Sequence, residues 1–152
     1  MAAPPERQRR LALLGGGFSL DDDGVLDDWV LSHARTSRPR VCFLPTASGD
    51  AVAHVERFFA AFRSRGDCEA AVLPLFQREL DDEGLRSFLL AQDVVYVGGG
   101  NTANMPAIWR VHGVDRLLEE TVSRVPGARV YRVEPDGRGG VDERPLPCRS
   151  IE

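Results

Sequence analysis

Short apolar runs alternate with amphipathic stretches along most of the chain. Leu11–Leu14, Val41–Leu44, Ala70–Leu75 and Val94–Val97 are near-continuous apolar runs, each followed by glycine, proline or small polar residues. Runs of this kind predict strands buried on both faces of a parallel sheet. Between them the apolar positions recur at helical spacing. Val25, Leu26, Trp29, Val30 and Ala34 mark one helix, and Val52, Val55, Phe58, Phe59 and Phe62 a second. Leu85, Phe88 and Leu89 mark a third, opened by Asp81 and Asp82; Met105, Ile108, Trp109, Leu117 and Leu118 mark a fourth. Each set forms the inward stripe of an amphipathic helix. Gly113 is expected to interrupt or kink the fourth. Four strand–helix units in succession predict an α/β fold, a doubly wound parallel sheet with flanking helices on both faces. The expected spatial order is 3-2-1-4.

After Glu120 the rhythm changes. Arg129 to Glu134 alternates like a strand with one wet face, Pro135 to Gly140 is turn chemistry, and Val141 to Leu146 is a returning strand. This predicts a C-terminal β-hairpin rather than a fifth strand–helix unit. Residues 1–10 are expected to be a disordered N-terminal tail and 11–120 the α/β domain. Residues 121–152 then supply the hairpin and tail of that same domain.

In doubly wound sheets the working site lies beyond the carboxyl ends of the strands. Three loops fall there: Gly15-Gly16-Gly17, Thr46-Ala47-Ser48-Gly49-Asp50 and Gly98-Gly99-Gly100-Asn101-Thr102. Glycines let the backbone take positive φ and let another group approach closely. Asn101 and Thr102 suit a helix entry, and Ser48 or Asp50 can cap the second helix. Loop N–H groups beside a helix N-terminus favour a negative charge: a phosphate, a carboxylate or the oxyanion of an acyl-transfer intermediate. Three consecutive glycines are not the dinucleotide-binding spacing, and no cofactor is expected. Asp21, Asp22 and Asp23 read as helix capping, because carboxylates adjacent in sequence cannot all face one ion; no metal site is expected. His54, beside the apolar stripe of its helix, reads as solvated or packing.

Composition narrows the partners. A net charge of −4 gives no reason to expect nucleic acid. No segment is long and apolar enough to span a membrane. Cys42, Cys68 and Cys148 are odd in number and match no metal-ligand spacing, which predicts reduced thiols in a cytoplasmic protein.

Several stretches together resemble the peptidase E family, the aspartyl dipeptidase-like serine peptidases related to cyanophycinase. These are Leu13 to Ser19, Phe43 to Asp50 and Tyr96 to Met105, continued by Ile108-Trp109-Arg110 and His112-Gly113-Val114-Asp115. The likeness covers about Leu11 to Glu119. It implies a fold like the class I glutamine amidotransferases and cleavage of short peptides through a serine acyl-enzyme. It also implies that Gly99 and Gly100 supply oxyanion N–H donors, with Asn101, Gly16, Gly17, Thr46 and Ser48 on the same ligand-binding rim. The family's nucleophile sits in a Gly-x-Ser-Ala-Gly elbow, with a histidine and an acidic partner further on. None of the eight serines here has those glycine flanks, and no histidine lies beyond His112. Ala128 to Glu134 and Glu143 to Pro147 resemble the family's C-terminus. The resemblance therefore implies an internal deletion that joins near Leu118 to Val122 and removes the catalytic residues. Three readings follow: a peptidase E-like hydrolase by descent that is inactive, a module that binds a small anion (a carboxylate or a phosphate), or a product without function; a small peptide or carboxylate is the expected ligand. The deletion would also leave Val94–Val97 with a bare edge; unless the hairpin of Arg129 to Leu146 covers it, the chain is expected to form a homodimer through that edge or to aggregate.

Overall fold

Valine, leucine and aromatic residues need apolar neighbours on every side, and a parallel sheet sandwiched by helices supplies them. The computed structural model describes residues 10–14, 24–123 and 129–146. The elements in chain order are β1 (Arg10–Leu14), α1 (Val25–Ser32), β2 (Arg40–Leu44), a tight helical turn (Thr46–Ser48), α2 (Val52–Arg63), β3 (Glu69–Val72), α3 (Asp82–Leu90), β4 (Val94–Val97), α4 (Asn104–His112), α5 (Val114–Ser123), β5 (Arg129–Pro135) and β6 (Val141–Leu146).

The strands do not follow the expected order 3-2-1-4. They form two three-stranded sheets, β3-β2-β4 and β1-β5-β6. In the first, β2 is central and parallel to both neighbours, with Val41 opposite Ala70 and Val94. β1 is not inserted between β2 and β4; it pairs in parallel with β5, which turns back into antiparallel β6. The reason lies in burial. β2 alternates wholly buried side chains onto two cores, whereas Leu11 and Leu13 of β1 are 47% and 48% exposed. β1 leaves Leu11 and Leu13 to solvent at the edge of its sheet, which a strand between β2 and β4 could not do.

The alternation in β2 builds two layers. Val41 and Phe43 join Tyr96 of β4 against Phe58 and Phe62 of α2, with Val30 and Leu31 of α1 at the margin. Phe43 stacks on Phe58, ring centroids 5.1 Å apart. Cys42 and Leu44 face the other way, onto Leu85 and Leu89 of α3 and Val114 of α5. Helices on opposite faces are what right-handed crossovers require when the chain steps from β2 out to β3 and back across to β4. Large buried side chains of this kind each contribute roughly 1.5–3 kcal/mol. The hairpin sheet has its own small core, Leu26 and Tyr131 with Ala12, Leu14, Trp29 and Val141. Trp29 of α1 donates its indole N–H to Glu143 of β6, and Arg10 lies over the Tyr131 ring.

One local expectation changes, and the expected interruption at Gly113 holds. β3 stops at Val72 instead of Leu75, because Pro74 has no N–H to extend a ladder. Gly113 ends α4 in the left-handed conformation, φ 71°, and α5 starts directly after it. Asp21 to Asp23 lie outside the described residues; Gly24 provides the N-cap of α1.

Candidate functional site

β2 and β4 are neighbours, but their following segments lead to helices on opposite faces. Strand order reverses at this point, which is where a doubly wound sheet places its ligand crevice. Two of the three expected loops meet there. The third, with Gly16 and Gly17, lies outside the described residues.

The two loops are bonded to each other through the backbone. Gly98 donates its N–H to Leu44 O at 3.1 Å, and Asn101 donates its N–H to Ala47 O at 2.7 Å. The three glycines between these anchors have different roles. A Cβ on Gly98 would stand 2.8 Å from the Phe43 ring. A Cβ on Gly100 would stand 2.2 Å from Ala47 O, and its φ is 146°, so close approach and conformation both exclude a side chain. A Cβ on Gly99 would meet nothing within 4 Å. Gly99 and Gly100 are exposed, and among the described residues neither N–H meets an acceptor. The donors expected for an anion therefore sit on a loop fixed at both ends.

Thr46 and Ser48 stand on the rim but turn inward. Thr46 is 1% exposed, and its Oγ1 accepts the indole N–H of Trp109 at 3.1 Å, which ties α4 to the β2 loop. Ser48 donates its hydroxyl to Pro45 O at 2.9 Å. Asn101 directs its Oδ1 at the N–H groups of Ala103 and Asn104, satisfying two donors at the entry to α4 from just outside the helix. Of the expected site residues described, only the N–H groups of Gly99 and Gly100 point to a ligand role.

Asp50 has a role different from capping. The N-cap of α2 is Ala51, with no side-chain bond. Asp50 holds φ at 57° and accepts the N–H groups of Leu75 and Phe76, both at 2.7 Å, on its Oδ2. It thus clamps the β2 loop to the segment after β3. The sequence marks Asp50 as a turn residue and gives no sign of its distant partners. Asp27 is a second residue that sequence reasoning passes over: it is 4% exposed and accepts the Tyr96 hydroxyl at 3.2 Å. Its only sequence signal is an acidic side chain within an apolar stripe.

The nucleophile–base geometry required for acyl transfer is absent among the described residues. The one serine–histidine contact is Ser32 Oγ to His33 Nδ1, 3.3 Å. Ser32 donates to Trp29 O, and His33 Nδ1 stands 2.7 Å from the same oxygen. That nitrogen must carry the proton there, so it cannot receive one from Ser32. The pair also closes α1 at the end that leads into β2, across the sheet from the glycine loop. His112 packs its Nδ1 against the Arg78 guanidinium at 3.2 Å. Burial pushes the Cys42 thiol up to about 12, so it is neutral and unreactive. No helix among the described residues is long and apolar enough to cross a membrane.

Comparison with known proteins gives the site its family. The profile of peptidase family S51 matches residues 11–128, which include both loops. A protein of Bacillus subtilis (strain 168), named uncharacterized peptidase YgaJ, is 44% identical over 111 residues. That match takes in 72% of this chain and 47% of the Bacillus protein, so the chain spans about half the length of the curated relative it matches. No solved structure matches the chain. With most of its length under one family profile and the loop–loop cradle inside the matched region, the chain belongs to peptidase family S51.

Proposed function

We propose that this chain of 152 residues is a peptidase by descent that does not itself hydrolyse peptides, and that it keeps an anion-binding rim. The carrying observation is the serine inventory. Ser19, Ser32, Ser37, Ser48, Ser64, Ser87, Ser123 and Ser150 all lack Gly-x-Ser-Ala-Gly flanks. The inward bond of Ser48 and the blocked Ser32–His33 pair support the same reading. Acyl transfer needs a positioned nucleophile with a base in hydrogen-bond reach. An oxyanion cradle without them gives only a residual rate. An internal deletion that joins near Leu118 to Val122 accounts for the pattern, and α5 runs unbroken through that join. Gly99 and Gly100 retain the donors for a small carboxylate or a peptide terminus. The free, buried thiols of Cys42 and Cys68 support a reducing, cytoplasmic setting.

The test uses an aspartyl dipeptide and a fluorophosphonate probe with the purified chain. Neither turnover nor serine labelling is expected. Turnover above the uncatalysed rate, with probe on one serine, would overturn the proposal and identify the nucleophile.

A further inference from the structure

The glycine loop continues directly from β4, and β4 is the edge of its sheet: among the described residues, only β2 pairs with it. Natural edge strands are blunted by lysine, proline or a bulge. Val94-Val95-Tyr96-Val97 contains none of the first two, and its register with β2 runs without a break from Val41↔Val94 to Leu44↔Val97. Val97 is 43% exposed. Gly98, directly after the strand, gives its N–H to Leu44 O on the β2 side. Ladder groups alternate along a strand, so with Gly98 facing β2 the N–H and C=O groups of Val95 and Val97 point away from it.

The geometry points to a binding mode for short extended peptides with a free C-terminal carboxylate, added as a strand beside β4. The orientation follows from charge. A strand added parallel to β4, as β2 already is, ends beside Gly99 and Gly100 and brings its carboxylate to their N–H groups. A strand added antiparallel would bring a positively charged amino terminus to those donors. Main-chain pairing with carboxylate capture by loop N–H groups is an established way to bind peptide ends. Gly98 and Asn101 hold the loop on Leu44 and Ala47, so the donors are in place before a ligand arrives. The four residues of β4 suit a peptide of similar length. This mode rests on the proposal that the chain leaves such a peptide uncut.

The probe is fluorescein-Thr-Val-Thr-Val as the free acid, its C-terminal amide as the comparison, and fluorescence anisotropy as the readout. The free acid is expected to bind about tenfold or more tightly than the amide, the difference expected for one charge-assisted hydrogen bond. Val95→Pro, which removes an outward N–H where an edge tolerates proline, is expected to weaken the free acid without unfolding the chain. Equal binding of acid and amide, or no binding of either, overturns the inference. So does a dimer that Val95→Pro dissociates, because the edge then belongs to a second copy. Mass spectrometry of the recovered peptide separates the two proposals: a shortened peptide refutes the silent site, whereas an intact but unbound peptide refutes only the strand addition.

Discussion

Replacing Gly100 with alanine places a methyl group where Ala47 O already stands, 2.2 Å from the new carbon. The carbonyl carbon of Ala47 and the nitrogen of Ser48 follow at 2.5 and 2.9 Å. All three are backbone atoms, so no side chain can swing aside. The β2 loop must retreat by roughly an ångström to reach ordinary contact. That movement breaks the 2.7 Å bond from Asn101 N–H to Ala47 O, a loss of about 1 kcal/mol. Alanine must also hold φ near 146°, a strain of about 1–3 kcal/mol. The combined loss is about 3 kcal/mol, and for a chain of this size each kcal/mol moves the midpoint by about 2–4 °C. Gly100→Ala should therefore melt about 6–12 °C below the parent chain in a circular-dichroism scan. Gly99→Ala is the matched control, since its methyl meets nothing within 4 Å, and it should stay within about 0.5 kcal/mol of the parent. If Gly100→Ala melts within about 2 °C of Gly99→Ala, the close contact between the two loops does not support the rim.

Thr46→Val keeps the shape but removes the acceptor for the Trp109 indole; a loss of about 1–2 kcal/mol in urea unfolding is expected, with Thr46→Ser closer to the parent. A Thr46→Val midpoint equal to that of the parent would show the bond to be unimportant. Cys42 keeps its proton in the folded chain to about pH 12 but loses it near 9.0 when unfolded. The folded value is the raised one, so this contribution to stability is fully present below the unfolded value and is lost as pH rises toward the folded one. At mildly alkaline pH iodoacetamide should modify Cys42 only after denaturant is added, as read by peptide mass; modification of the native chain would refute the burial argument.

The layers are legible in the sequence because burial on both faces leaves a local mark. Val41–Leu44 and Val94–Val97 stand out as unbroken apolar runs, and both are strands. The hairpin is legible for a different local reason. Asp136 Oδ1 accepts the N–H groups of Arg138 and Gly140 at 2.7 and 2.8 Å, with Gly137 and Gly139 at positive φ, which is what the turn residues predict. Strand order leaves no such mark. Leu11–Leu14 resembles a central strand by composition, but its neighbour is β5, far along the chain. No local period encodes that pairing. Asp50 is hard to read for the same reason: its local chemistry permits a cap, and its partners Leu75 and Phe76 are distant in sequence.

The observed order also changes what the rim depends on. With β1 between β2 and β4, the cradle would have needed that strand as its floor. With β2 and β4 adjacent, the loops after them are joined directly, through Leu44 O to Gly98 N–H and Ala47 O to Asn101 N–H. Trp109 adds a side-chain tie from α4 onto Thr46, and Asp50 ties the same loop to the segment after β3. Every one of these ties lies between Arg40 and Trp109. Loss of a nucleophile-bearing unit at a join near Leu118 to Val122 would remove the chemistry and leave these supports in place. A member of the family that lost its nucleophile would therefore keep these loop donors in position, and β4, which among the described residues pairs only with β2, leads directly to them.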